Sequence, residues 1–512
     1  MYGDTDVLPH LAEIAFLRER ENEIVKELHK LDLDTYSPGT AVEALAPKNR
    51  YAFRIVHQLP VLDTLLLLSA VVELAPKIEG CRLPSNGIEA FSYRVLLDTK
   101  GGVFRSDRTY KDWLIAQAAA IQGNLKVRSV IATDISDFYA RVNFHRLENL
   151  LDECAPSHGA ARYVKKHIKV IRAKQSFGLP VGGSAARLLA ELALNDTDKA
   201  LQDQGLFSTR FVDDFRLFLK ADDNYYDALA FLAEQLSINE GLALSAAKTS
   251  VYGRTEYLAR LKELSTDIAQ EAQGEALDML VANLYFDDEP DLEQMEILEN
   301  LNLLGFLQEE VGKDAIDMGR IKVIFRALKL TKPEEAVGFL NSNFHELVVF
   351  AREMTLLMQA LESEYQGCFK DLTDTVIDAA LHPPASSVQV IRNWLLELFV
   401  RGTVPIAPAG VKKLASLSLP LDQRQLFLIR SRVGDKNFFR KQKTAFSQHS
   451  PLGQTCLIWG ASCLPKDEYK AWLAAVKPNY SVPLGHLFLK WVETEQASMI
   501  DKLAIGTVEH HE

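Results

Sequence analysis

The sequence RFVDDF at residues 210–215 places two adjacent acids, Asp213 and Asp214, inside an apolar and aromatic run that extends from Leu206 to Leu219. Apolar segments on both sides of a short charged segment predict a β-hairpin whose turn presents the two carboxylates. An ordinary solvated turn also accommodates such a pair, because Asp suits turn backbones. The choice between these two interpretations therefore depends on the other motifs of the chain.

Two upstream segments complete an ordered arrangement of strands, acids and glycines. VRSVIATDISDFY, residues 127–139, predicts a β-branched strand that ends in Asp134. GLPVGGSAARLLAEL, residues 178–192, predicts a glycine-rich loop that leads into a helix. A strand with an acid, a loop with a helix and a hairpin with two acids follow the order of a polymerase palm.

The three segments resemble motifs A, B and C of reverse transcriptases, and GLALSAAKT at residues 241–249 resembles motif D. The resemblance implies that Asp134, Asp213 and Asp214 are the catalytic, metal-binding acids, with two Mg²⁺ ions as cofactors and Mn²⁺ as a substitute. Carboxylate oxygens suit Mg²⁺. Two ions about 3.5–4 Å apart can stabilise both the attacking and the leaving oxygen of nucleotidyl transfer.

The same resemblance implies residues that bind the dNTP. Tyr139 would be the steric gate that rejects a ribose 2′-OH, and Lys248 would lie near the pyrophosphate. Gly182 would let the backbone approach the incoming base pair, because glycine has no Cβ. Arg94 is predicted to grip the triphosphate, since a guanidinium binds phosphate bidentately. The simpler interpretations are a core aromatic for Tyr139, an exposed lysine for Lys248 and general surface basicity for Arg94.

Charge is distributed unevenly along a chain whose net charge is −12. Between Phe91 and Gln175 there are fifteen Lys and Arg residues against eight Asp and Glu, which suits a phosphate backbone. Between Glu256 and Glu310 there are two Lys and Arg residues against fifteen Asp and Glu, which predicts a solvated face or an interface with a basic neighbour. Spacings of three and four predict a nucleic-acid track on one helix face, with a solvated basic face as the alternative. Its members are Arg162, Lys165, Lys166, Lys169 and Arg172.

The predicted fold class is α+β, with a right-hand polymerase palm and fingers followed by an all-α region. Residues 1–84 are predicted as an N-terminal helical region and residues 85–255 as fingers and palm. Residues 256–495 contain amphipathic helices joined by short turns, which predicts a HEAT-like helical repeat domain. Residues 496–512 are predicted as a C-terminal tail.

Cysteine usage and hydropathy indicate the compartment. The five cysteines include no CxxC pair, which argues against a zinc site or a disulfide framework. The first residues have no signal-peptide pattern. The longest apolar run, Thr64 to Val72, is too short to span a bilayer. We expect a cytoplasmic protein with no membrane association.

The palm motifs followed by a long helical region are similar to bacterial abortive-infection (Abi) polymerases and related defence-associated reverse transcriptases. No ribonuclease H, integrase or HNH-type block is visible. The resemblance implies phage defence, homo-oligomeric rings, priming from a protein tyrosine, and DNA made without a template or from a partner noncoding RNA.

The sequence does not select a priming tyrosine. Tyr2, Tyr36, Tyr51 and Tyr480 lie in segments that look terminal or loop-like. Two alternatives stay open beside the defence polymerase. One is a conventional reverse transcriptase that needs an RNA template and a nucleic-acid primer. The other is a scaffold that binds nucleic acid or a phage protein without catalysis.

Overall fold

The computed structural model describes residues 7–49, 52–99, 101–171, 175–265, 292–313, 316–480 and 482–505. The chain divides into two compact units. The first takes the described residues of Asp32–Ala41 and Asp63–Pro290, and the second takes those of Asp6–Leu31, Val42–Leu62 and Asp291–Glu512. The predicted helix at residues 276–285 lies outside the described residues.

The first unit mixes strands and helices. Its strands are β3 (Val127–Asp134), β4 (Phe207–Phe211), β5 (Asp214–Lys220) and β6 (Ser250–Gly253). Its helices are α3 (Val61–Cys81), α4 (Tyr110–Gly123), α5 (Phe138–Arg141), α6 (Phe144–Cys154), α7 (Gly159–Ile171), α8 (Gly183–Ala193), α9 (Asn195–Asp203), α10 (Tyr225–Gln235) and α11 (Arg254–Ser265). Short side chains cap several helix starts, among them Thr109 in a capping box with Asp112 at α4.

A four-stranded antiparallel sheet in the order β4-β5-β3-β6 is the centre of this unit. β3 lies between β5 and β6, with Val130 opposite Phe218 and Ile131 opposite Val251. β4 and β5 form the hairpin that the apolar run predicts, with Phe211 opposite Asp214. Because β3 is central and apolar, its terminal residue Asp134 has a fixed position at one end of the sheet.

Helices α4 and α11 pack against this sheet and against each other. The shared core includes Trp113, Val130, Phe218, Tyr257 and Leu261, all of them buried. Burying side chains of this size contributes about 1.5–3 kcal/mol each. The strands that carry the acids are therefore held by a well-packed core.

The second unit begins with α1 (Ile14–Glu19), α2 (Glu21–Leu28) and an antiparallel hairpin of β1 (Val42–Asn49) and β2 (Ala52–Gln58). The structure thus places two strands within residues 1–84, where we expected helices. Pro47 has no backbone N–H and interrupts a helix. Val42, Ile55 and Val56 are β-branched and favour strands.

The remainder of the second unit is helical from Leu292 onward. Its helices are α12 (Leu292–Glu299), α13 (Leu303–Val311), α14 (Met318–Thr331), α15 (Glu335–Leu347), α16 (Ala351–Glu364), α17 (Thr373–Leu381), α18 (Gln389–Arg401), α19 (Pro408–Lys413), α20 (Pro420–Arg432), α21 (Lys436–Ala445), α22 (Pro451–Gly460), α23 (Lys466–Val476), α24 (Gly485–Thr494) and α25 (Met499–Ile505). The sequence predicts one helix over residues 293–310. The structure has two, because the Asn302 side chain accepts from the Gly305 N–H and starts α13.

Alternate helices pack in series, α14 against α16, α16 against α18, α18 against α20 and α20 against α22. A bidentate pair between Arg392 and Asp422, at 2.9 and 2.8 Å, joins α18 to α20 inside the core. The helical character of this region is confirmed, and the HEAT-like repeat stays a prediction. In the part of the chain that the structure describes, no helix is long and apolar enough to cross a bilayer.

Candidate active site

The three acids that the sequence singles out meet at one end of the sheet. Antiparallel pairing sets Asp134, the last residue of β3, opposite Asp214, the first residue of β5. The backbone N–H of Ile135 donates to the carbonyl of Asp213 at 3.2 Å, so the turn is tied to the end of β3. Residues that are far apart in the sequence are therefore adjacent here, and their catalytic role remains a prediction.

The turn before Asp213 contains an unusual backbone conformation. Val212 has φ 56°, in the left-handed region that a β-branched residue rarely adopts. Its N–H donates to Ser92 Oγ at 2.8 Å, and its carbonyl accepts from Arg210 Nη1 at 3.0 Å. Such a conformation costs about 1–3 kcal/mol and persists only where its surroundings enforce it.

A buried network of charged groups supplies that support. Glu191 of α8 accepts from Arg82 Nη2 at 2.6 Å and from Ser92 Oγ, and it lies 2.9 Å from Arg210 Nη1. Asp198 of α9 accepts from Nε and Nη2 of Arg210 at 2.8 and 2.7 Å. These carboxylates outweigh burial and raise the pKa of Arg210. The network connects α8, α9 and the β4–β5 hairpin through buried polar and charged side chains.

The electrostatics of the acids indicate that they need a cation. Burial, followed by the charges of Asp134 and Asp214, raises the pKa of Asp213 to about 7. Burial and the charge of Asp134 also raise the pKa of Asp214, although Arg216, 3.8 Å away, opposes the shift. Like charges held in a dry site repel one another, and a bound cation would relieve the repulsion.

Lys248 supplies one such positive charge. Its ammonium donates to Asp134 Oδ2 at 2.7 Å, while its side chain stays 58% exposed. Partial burial opposes protonation, but the hydrogen bond that Lys248 donates to Asp134 and the charges of the neighbouring acids outweigh it and raise the pKa of Lys248. The lysine faces Asp134, and its predicted place near the pyrophosphate stays a prediction.

The donor set fits Mg²⁺, although the side chains do not form a preformed cage. Among the described residues, no three His, Cys, Asp or Glu side chains converge as a ready-made metal cluster. Mg²⁺ does not require one, because it keeps several waters and is held by one or two carboxylates together with substrate phosphates. Asp134, Asp213 and Asp214 would hold it. The ammonium of Lys248 beside Asp134 shows that this site already stabilises a positive charge.

Tyr139 and Gly182 border this site. The half-buried Tyr139 lies on α5, and burial together with the neighbouring Tyr93 and Asp213 raises its pKa well above the usual value. Its carbonyl accepts from the Leu179 N–H at 2.7 Å, which joins it to the glycine-rich loop. Gly182, with φ 101° and ψ 164°, has a backbone conformation that only glycine adopts readily, and it precedes α8.

Arg94 is not placed as a phosphate ligand. Its side chain is buried, donates to the carbonyls of Ala90 and Leu83 at 3.1 and 2.7 Å, and lies 2.7 Å from Glu79. Burial, with the adjacent Arg82, lowers its pKa to about 10. A guanidinium with these partners supports the chain around residues 83–90, so the structure corrects the predicted grip on the triphosphate. The sequence showed a basic cluster, whereas the side chain's burial depends on the tertiary fold.

The predicted nucleic-acid track is likewise paired with acids. Arg162 binds Asp34 through two nitrogens at 3.2 and 3.0 Å, and Lys166 donates to the Asp34 carbonyl at 3.0 Å. Lys165 lies 2.6 Å from Asp152, and Lys169 lies 2.5 Å from Glu148. Arg172 lies outside the described residues. Three carboxylates thus partly neutralise the four described cations of α7, in line with the alternative interpretation.

Sequence reasoning missed Ser92, Glu191 and Arg210 as residues that position the acids. One signal was available, because Glu191 stands on the apolar face of a helix between Ala190 and Leu192. A buried acid needs a charged partner. The identity of that partner depends on the tertiary fold.

The comparisons with known proteins agree with the motifs. Residues 92–261 match the family described as "Reverse transcriptase (RNA-dependent DNA polymerase)". No curated protein matches the sequence. Two solved structures are weakly similar. One is a telomerase from Candida albicans complexed with a fragment of telomeric RNA, at 14% identity and TM-score 0.33, covering 74% of this chain and 70% of that one. The other is apo telomerase from Candida tropicalis, at 11% identity and TM-score 0.32, covering 74% of each chain.

Proposed function

We propose that this chain, an RNA-directed DNA polymerase with a reverse transcriptase domain at residues 92–261, adds dNTPs at Asp134, Asp213 and Asp214 by two-metal nucleotidyl transfer. One observation carries the proposal. The sheet register sets Asp134 opposite Asp214 and leaves Asp213 in the adjoining turn, with Lys248 bound to Asp134. Carboxylates of this kind suit divalent cations, whose positive charge complements the negative charge that develops during phosphoryl transfer.

Each residue contributes a separate task. Asp134 and Asp213 would hold the cations, and Asp214 would support them from the first position of β5. Bound Mg²⁺ would supply charge stabilisation at the attacking and leaving oxygens. The ammonium of Lys248, whose side chain is 58% exposed, is accessible to a phosphate oxygen that competes with Asp134 for it.

The sugar and base are selected beside the acids. Tyr139 would meet the 2′ position of an incoming nucleotide, since it lies close enough to Asp213 for that carboxylate to raise the pKa of its hydroxyl. The loop that ends at Gly182 would carry backbone close to the nascent pair, because no Cβ projects from it.

The biological setting of the proposal is antiphage defence with protein-primed synthesis, either without a template or from a partner noncoding RNA. The motif sequences and the helical second unit support it. Two of the four candidate priming tyrosines have hydrogen-bond partners in the structure. The Tyr36 hydroxyl donates to Asp63 at 2.6 Å, and Tyr480 is buried with its hydroxyl 3.1 Å from Thr455. Tyr2 and Tyr51 lie outside the described residues, and the priming residue remains unknown.

The test is incubation of purified protein with Mg²⁺ and labelled dNTPs, without added template or primer. Products are separated on a denaturing gel before and after DNase, and the protein is pretreated with RNase in a parallel sample. Label that migrates with the protein and is shortened by DNase supports protein priming. Loss of label after RNase pretreatment identifies a co-purified RNA template.

Other outcomes separate the rival functions. Synthesis that appears only with an annealed primer and RNA template supports the conventional reverse transcriptase and contradicts protein priming. Phage protection by a D213N/D214N protein would favour the non-catalytic scaffold. Light scattering at working concentration tests the proposed homo-oligomer, which a monomer would contradict.

A further inference from the structure

The second unit contains a strongly basic segment within an acidic protein. Residues 401–480 hold thirteen Lys and Arg residues against four Asp and Glu, although the whole chain carries a net charge of −12. The described residues of this segment fold into short helices, of which α21 has the highest density of cations. Charge segregated in this way creates a local positive potential.

Helix α21, KNFFRKQKTA, has one apolar side and one cationic side. Phe439 is buried. Lys436, Arg440, Lys441 and Lys443 are exposed, and the helix contains no acid. We call these four side chains the α21 basic face.

The basic face works against the stability of its own helix. Lys436 and Arg440 stand at i and i+4, and Arg440 and Lys443 at i and i+3, where like charges repel by roughly 0.2–0.5 kcal/mol per pair. The N-cap Asp435 offsets the charge of Lys436 at the first helical position, and Lys443 in the last turn is favourable to the helix dipole. The repulsion between neighbouring cations is therefore what an external anion would relieve.

One acid of a neighbouring helix lies among these cations. Glu468 of α23 binds Arg440 through two bonds of 2.6 and 2.8 Å. That hydrogen bonding and the charges of Lys436 and Lys443 lower the pKa of Glu468. Three cations therefore surround a single carboxylate and leave an excess of positive charge on one compact surface.

We propose that the α21 basic face binds the phosphodiester backbone of a nucleic-acid strand, at a site separate from the polymerase carboxylates. The inference rests on the chain being a polymerase, which handles such strands, and it goes beyond the proposed reaction. Phosphate contacts of this kind fix a strand without reading its sequence. A lipid surface fits less well, because among the described residues of 401–480 the only large apolar side chain recorded as exposed is Leu419.

The first experiment is lysine footprinting of the full-length protein in EDTA without nucleotides, so that binding is read apart from synthesis. The probes are 30-nucleotide single strands of DNA and of RNA with unrelated sequences. We expect several-fold protection of Lys436, Lys441 and Lys443 from acetylation. Lys26, Lys30 and Lys370, exposed lysines of the same unit, are the internal controls and should be unprotected. Protection by DNA alone, RNA alone or both identifies the strand. Equal labelling of the two lysine sets with and without either probe would overturn the proposal.

The second experiment measures the salt dependence of binding for matched charge reversals. K436E/K441E/K443E should weaken binding about tenfold or more at 100 mM salt and flatten the slope of log affinity against log salt by about 2. K26E/K30E/K370E, with the same change of net charge, should bind as wild type does. K436Q/K441Q/K443Q should show a smaller loss of affinity. It replaces the charge-reversal variant if that variant does not fold. Unchanged slopes in the Gln variant, or an effect confined to anionic vesicles, would contradict a nucleic-acid site.

Discussion

The ammonium of Lys248 lies 2.7 Å from Oδ2 of Asp134, the acid at the end of the central strand β3. The two residues are far apart in sequence, and the sheet brings β6 and the turn before it alongside β3. Lys248 balances the charge of Asp134 while three carboxylates share the site. It also keeps enough exposure to contact a substrate phosphate.

Replacing Lys248 tests this double role. K248M should reduce kcat/KM for dNTP addition by about 10²-fold, in the range of a positioned proton or charge donor. K248R keeps the charge and should retain more activity than K248M. Steady-state incorporation with purified proteins measures both. Equal activity of K248M and wild type would show that the lysine is only a surface residue.

Tyr139 is predicted to select the sugar. Y139A should admit ribonucleotides and lower the dNTP-to-rNTP ratio of kcat/KM by about tenfold or more, because removal of the ring opens space at the 2′ position. Y139F keeps the ring and should discriminate as wild type does. Competition between a dNTP and its matching rNTP measures the ratio, and an unchanged ratio in Y139A would contradict the steric gate.

The proximity of Asp134 and Asp214 was predictable because the local sequence around each acid predicts the strand that carries it. One acid follows a β-branched strand, and two acids lie in an apolar hairpin. With the order of the motifs, this pattern leaves few alternative folds. Arg94 was not predictable in the same way. The sequence shows a basic cluster, but only the fold shows that Glu79 and two carbonyls occupy the guanidinium.

Glu191 should contribute strongly to stability. Its carboxylate is fully buried and contacts Arg82, Arg210 and Ser92. E191Q removes the charge that two buried guanidinium groups face, and breaking a buried pair costs about 3–5 kcal/mol. Thermal and urea unfolding measure the loss. E153Q, at an exposed glutamate of the same unit, should change stability by less than about 0.5 kcal/mol. A similar small effect in E191Q would contradict the importance of the network.

Glu240 predicts a pH dependence of stability. Burial, with the charges of Asp196 and Asp198, raises its pKa to about 7, although Arg146 opposes the shift. Its folded-state pKa exceeds the unfolded value, so its contribution is full below about pH 4.5 and is lost as pH rises through about 7. E240Q should therefore be more stable than wild type at pH 8, by up to about 3 kcal/mol, and the difference should vanish near pH 4.5.

The control for that series is E234Q, at an exposed glutamate of α10. Its stability relative to wild type should not change between pH 5 and 8. If the difference in free energy of unfolding between E240Q and wild type stays constant across this pH range, Glu240 titrates as an ordinary surface acid.

The extent of helix was also predictable from the sequence, and its interruptions less so. Amphipathic spacing located the bounds of α14, α17 and α18 within two residues. It predicted helices at 333–340 and 344–363, whereas α15 runs on to Leu347 and α16 begins only at Ala351. The hairpin at Val42–Gln58 was missed because its apolar pattern does not alternate strictly. The paired state of the α7 lysines was missed because Asp34, Asp152 and Glu148 come from other segments.

Single-nucleotide incorporation by wild type and by D213N/D214N measures the central claim most directly. Both proteins should show the same far-UV circular dichroism, because Asn keeps the shape of the turn. Wild type should add labelled dNTP in Mg²⁺, and the variant should add none above background under every template and primer condition that supports wild type. Incorporation by the variant at a rate close to wild type would contradict catalysis by these carboxylates.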